Sequence, residues 1–144
     1  MTCRLSSKMG KFKGKIWLFR LIMLLYLGAV AYLCFANFDK VQDMPKTLFG
    51  IPLDKIVHFC MFFPFPIIAF FSYDRKTDRP IEAVAAAVVS AAVGGIFAGL
   101  TEIVQGSLPY RTQDIADFHA DLIAIGISAI LVVTVDLLKM RKKK

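Results

Sequence analysis

Several common chemistries are missing from this chain. There is no Gly-rich phosphate loop, no G-x-S-x-G nucleophile elbow and no internal repeat. Cysteine is scarce. Cys3, Cys34 and Cys60 are far apart, form no C-x-x-C and supply neither a disulfide framework nor a zinc-finger spacing. Cys34 and Cys60 fall within apolar runs, where a free thiol behaves as a small hydrophobe. No H-E-x-x-H occurs, so spacing alone implies no metal and no cofactor. Charged residues are only 20% of the chain.

What is abundant is apolar. The 144 residues are 57% hydrophobic, and the mean hydropathy is +0.61. That exceeds what one soluble domain of this length requires, and the apolar runs are too long for ordinary core helices. Four runs are long enough to cross a bilayer, at about 16–36, 54–73, 81–106 and 114–138. The expectation is an all-α membrane protein with one domain, residues 1–144, built as an up-and-down bundle of four transmembrane helices. In the first run Ala29-Val30-Ala31 resembles a signal-peptidase site, but the length of the run and Arg20 inside it favour a retained helix. Pro64 and Pro66 interrupt the second run and predict a kink. The third is rich in small residues. Gly95-x-x-x-Gly99, extended back to Ala91, forms a ridge suited to close helix packing inside the monomer.

The net charge of +7 does not point to nucleic acid, because of where it lies. Arg4, Lys8, Lys11, Lys13 and Lys15 precede the first span, and Lys139, Arg141, Lys142, Lys143 and Lys144 close the last. Arg75, Lys76 and Arg79 occupy the middle loop. Lys/Arg-rich flanks stay cytoplasmic. Both termini and the middle loop are therefore expected inside, which requires an even number of spans. The basic flanks read as topology signals and contacts for anionic lipid.

This topology gathers polar residues from three segments at the opposite, outer end. Asp54 and His58 are four apart on one helical face, with Lys55 beside them. Glu102 and Gln105 share a face of the third span. Asp114, Asp117 and Asp121 follow i, i+3, i+7 on the fourth. Asp114 suits an N-cap and Asp117 a first turn, and Asp54, which follows Pro52, suits an N-cap as well. His58, Glu102 and Asp121 lie deeper. An acid at a helix centre costs roughly 2.5–3.5 kcal/mol and less near the interface, so such residues are paired, protonated or functional. Lys55, Arg111 and His58 are the available partners. His119 is out of phase with this face.

Asp54-Lys55-x-x-His58-Phe59 followed by Glu102-x-x-Gln105-x-x-x-Pro109-x-Arg111-x-x-Asp114-x-x-Asp117-x-x-x-Asp121 resembles the VanZ-like family of small bacterial integral membrane proteins, named for a member associated with teicoplanin resistance. The resemblance covers residues 53–126. The family often has Asn where this chain has Asp121, and Gly where it has Ala124. It implies a multi-pass protein of the bacterial cytoplasmic membrane.

The ligand-binding candidates are Lys55, His58, Glu102, Gln105, Arg111, Asp114, Asp117 and Asp121. The expected partner is an anionic membrane lipid or a lipid-linked envelope precursor in the outer leaflet, held by Arg111, Lys55 and His58. In an enzymatic alternative His58 acts as general base oriented by Asp54, with Glu102 as the acid. A metal-dependent variant of it would draw on His58, Glu102, Asp117 and Asp121. A third reading is a purely structural or partner-binding network that sets helix register.

Overall fold

The computed structural model describes residues 3–37, 47–73, 79–111 and 113–142, with side chains from residue 15 onward. Four helices or helix pairs are long and apolar enough to cross a membrane: Lys15–Phe35, Leu53–Ser72, Pro80–Gly106 and Ile115–Arg141. The chain is a four-span, all-α membrane protein, and its spans lie within a few residues of those read from the sequence. Most of the basic flanks, the middle-loop residues Arg75 and Lys76, and the loop breaker Pro45 lie outside the described residues or side chains.

Helix α1 runs Cys3–Phe35, well beyond its 21-residue apolar segment. At 1.5 Å per residue it is about 50 Å long, more than a hydrocarbon core of about 30 Å. A small antiparallel hairpin follows, β1 Thr47–Leu48 and β2 Ile51–Pro52. Its turn residues Phe49 (φ 52°) and Gly50 (φ 80°) both take positive φ, as a tight two-residue hairpin loop requires. The second span is two helices, α2 Leu53–Phe62 and α3 Phe65–Ser72. The expected kink falls at Phe63-Pro64, which keep helical φ/ψ while the hydrogen-bond ladder between the two helices is broken. Tyr26 of α1 donates its hydroxyl to the Met61 carbonyl beside the break. A neighbouring helix thus supplies a donor to backbone beside the kink.

Helix α4 runs Pro80–Gly106. Proline at its first position is pre-organised for helix and forfeits no bond there. Helix α5 runs Ile115–Arg141. Asp114 caps it by accepting from the Ala116 N–H at 2.8 Å, and Lys139 and Arg141 in its last turn complement the helix dipole. Asp54 departs from its expected capping role. Pro52 holds the N-cap position of α2, and Asp54 sits in the first turn.

α5 packs on α4 and α2, and α3 packs on α1, α4 and α5. The core joins Val30 and Cys34 of α1, Met61 and Phe62 of α2, Ala98 of α4, and Ala124 and Ile125 of α5. Hydroxyls within the spans fold back on the preceding turn, as Ser90 does to the Ala86 carbonyl at 2.8 Å and Thr101 to that of Ala98 at 2.7 Å. Large side chains such as Trp17, Leu24, Ile96, Ile103 and Ile130 face outward, forming the belt a bilayer would cover.

The small-residue face of α4 is partly relocated. Its buried line includes Ala83, Ala87, Ser90, Gly94, Ala98, Thr101 and Gln105. A Cβ on Gly94 would stand 2.9 Å from Phe65 Cδ1. On Gly95 it would meet Leu122 at 3.3 Å, and on Gly99, Phe118 at 3.7 Å. The predicted ridge Ala91-Gly95-Gly99 is only half-buried, and its glycines pack on α5 inside the monomer. Gly94 is the closest approach.

Candidate functional site

The C-terminal end of α1, the N-terminal end of α2, the C-terminal end of α4 and the N-terminal end of α5 meet at one end of the bundle, as up-and-down connectivity requires. At that end the polar residues divide into two groups with different work.

The first group closes α1. The last carbonyls of a helix have no partner within it. Here Gln105 Nε2 donates to the Cys34 carbonyl at 3.1 Å, and the Tyr110 hydroxyl donates to Phe35 at 2.9 Å. One Arg111 guanidinium nitrogen donates to Leu33 and Ala36, both at 3.1 Å. The guanidinium also places positive charge at the negative end of the helix dipole. This corrects the expected role of Arg111 and Gln105: both serve the end of α1. At the opposite end Arg20 Nε donates to the Ser72 carbonyl at 3.4 Å, and its guanidinium lies 5.2 Å from the Trp17 ring centre.

The second group is the cluster itself. Lys55 Nζ donates to Asp114 Oδ2 at 2.8 Å and to Asp117 Oδ1 at 2.9 Å, with Asp54 Oδ2 at 3.6 Å. The Lys55 ammonium, with help from the Ala116 N–H, holds the Asp114 carboxyl below its usual range. Deeper, His58 Nδ1 lies 3.2 Å from Asp121 Oδ1, and His58 Nε2 lies 3.9 Å from Asp117 Oδ2. Glu102 Oε2 accepts the Asp114 N–H at 3.3 Å. Glu102 Oε1 is buried and has no hydrogen-bond partner among the described residues. Side-chain exposure falls from 55% at Asp54 and 46% at Asp114, through 25% at Lys55 and 11% at Asp117, to 9% at His58 and 0% at Asp121. The cluster is a polar path leading inward from the end of the bundle.

His58, Glu102, Asp117 and Asp121 are thus brought together from α2, α4 and α5. Asp54 is not the partner that orients His58; that partner is Asp121, about two turns into α5. The sequence signal for it was the shared face of Asp114, Asp117 and Asp121, which shows what faces inward but not what lies across from it. Tyr110 and Tyr26 carried no sequence signal beyond being aromatic residues with a hydroxyl. His119 is exposed, as its phase implied. Five carboxylates (Asp54, Glu102, Asp114, Asp117 and Asp121) gather around Lys55 and His58 among the described residues.

The fold and this cluster define a multi-pass membrane protein with ionisable groups from three spans converging near one membrane face. The chain is similar to Uncharacterized protein C11E3.10 of the fission yeast Schizosaccharomyces pombe, at 32% identity over 79 residues. The match covers 54% of this chain and 45% of the yeast protein, so it spans about half the length of that relative. No family profile matches the chain, and no solved structure matches it.

Proposed function

We propose that this chain is a VanZ-like membrane protein that takes the polar head of a membrane lipid or lipid-linked precursor into the cluster at the outer face of its membrane. The carrying observation is the inward path from exposed Asp54 and Asp114 to buried His58, Glu102 and Asp121. Ionisable groups held in a membrane span are costly unless they serve a ligand, a proton path or each other. The Lys/Arg flanks support the outward sidedness of this end.

Placement in a bacterial cytoplasmic membrane, and any link to teicoplanin, rest on the family resemblance. Similarity to a fission-yeast protein gives no support to a role confined to glycopeptide resistance. The expected preference for an anionic headgroup loses its main donor, since Arg111 is engaged at α1 and Lys55 is clamped between two aspartates.

Acid–base chemistry is a second reading, favoured by one contact. Asp121 at His58 Nδ1 leaves Nε2 turned toward Asp117, the arrangement of a base and its orienting carboxylate.

Native mass spectrometry of the full chain, purified in mild detergent, tests the proposal. The wild type is expected to retain a polar lipid that His58→Gln loses at unchanged helicity. Equal lipid profiles in the two proteins would overturn it.

A further inference from the structure

We propose that His58, Glu102 and Asp117 form a binding site for a divalent first-row cation, of the Zn²⁺ or Mn²⁺ kind. All three residues are buried, and each offers a ligand atom within 4.8 Å of the others. Bonds of about 2.1 Å place neighbouring ligands roughly 3–3.5 Å apart, so a contraction of at most roughly 1.5 Å closes the set. Side chains on three separate helices supply such a contraction by small rotations.

Three features of the cluster point to a cation rather than to a self-contained salt-bridge network. First, Glu102 is only 4% exposed, and its Oε1 has no donor among the described residues. A buried carboxylate oxygen without a partner is costly, and a metal ion would satisfy it. Second, the His58 ring is arranged as a ligand. Its Nδ1 is directed at Asp121, which is fully buried, and its Nε2 at Asp117 Oδ2. A metal-binding histidine typically donates its other N–H to a carboxylate, which fixes the tautomer and strengthens the ligand. Third, Asp117 divides its oxygens. Oδ1 accepts from Lys55, while Oδ2 faces the imidazole.

One imidazole and two carboxylates, with no thiolate, suit a borderline or hard divalent ion. Asp54, Asp114 and Asp117 also approach one another, but the Lys55 ammonium already sits among them. The inference deepens the reading of a headgroup site and rests on it for its ligand. A dication would supply the positive charge that five carboxylates facing Lys55 and His58 do not, and so accept a phosphate or carbonyl oxygen of a lipid head.

The test needs no substrate. The full chain, purified in detergent and stripped with chelator, is dialysed against Zn²⁺ or Mn²⁺, separated from free ion, and its metal counted by mass spectrometry. About one ion per chain is expected in the wild type and in Arg111→Ala, whose side chain lies outside the set. Glu102→Gln and Asp117→Asn are expected to lose the ion, and Asp121→Asn to weaken it roughly 10–100-fold. Helicity and elution volume identify any variant that fails to fold, and the near-isosteric Gln and Asn changes give two separate chances of a folded one. A wild type without bound metal, or equal metal in folded Glu102→Gln and Asp117→Asn, overturns the site. Either result leaves the lipid-retention experiment standing, so the two proposals fail separately.

Discussion

At the scale of single residues, neighbouring polar side chains that look alike in sequence do unlike work. Arg111 and Lys55 both read as donors for an anionic ligand. Arg111 instead closes α1 with Gln105 and Tyr110, and only Lys55 belongs to the acidic cluster. Tyr110→Phe removes one neutral hydrogen bond and is expected to cost about 1 kcal/mol. Arg111→Ala removes charge-assisted bonds to two carbonyls and is expected to cost more, about 1.5–3 kcal/mol. Thermal unfolding in detergent checks both, and a larger loss from Tyr110→Phe than from Arg111→Ala would contradict this division of labour. The sequence placed Asp121 on the inward face of its helix. It named Lys55, Arg111 and His58 as available partners without choosing among them, because pairing across helices depends on their relative rotation.

Among the elements, α4 shows how close packing and polar function share one helix. Its middle is small so that α3 and α5 can approach, and its C-terminal end carries Glu102 and Gln105 inward on the same buried line. Gly94 is the tightest point, since a Cβ there would strike Phe65 at 2.9 Å and Ile125 at 3.3 Å. Gly94→Ala is therefore expected to destabilise by about 1–3 kcal/mol through overpacking. Gly99→Ala, with ordinary contact at 3.7 Å, is expected to be neutral or mildly stabilising. A thermal melt of the two variants side by side separates them, and equal melting temperatures would refute the packing account. The sequence showed a ridge of the right kind but favoured Gly95 and Gly99. The choice among adjacent glycines turns on where the Phe65 ring falls after the break at Pro64.

For the whole molecule, four spans in up-and-down order bring both chain ends to the same side. We propose, from the basic flanks, that this side is the cytoplasmic one. Tags at the N- and C-termini are thus expected to be protected from protease alike in sealed right-side-out vesicles and cut alike after permeabilisation. One protected tag and one cut tag would mean an odd number of spans. The polar cluster then lies on the opposite side, where the proposed headgroup site requires it.

The sequence by itself determined the spans, the kink at Pro64 and Pro66, and the end of the bundle at which the ionisable residues collect. Span length and apolar run length answer to the same bilayer thickness, and proline acts on its own backbone whatever surrounds it. Tertiary structure alone decided which polar groups meet. It gave His58 to Asp121, Lys55 to Asp114 and Asp117, and Arg111 to the end of α1. Those pairings depend on the rotation and depth of each helix against its neighbours, and these come from side-chain packing between segments far apart in the chain.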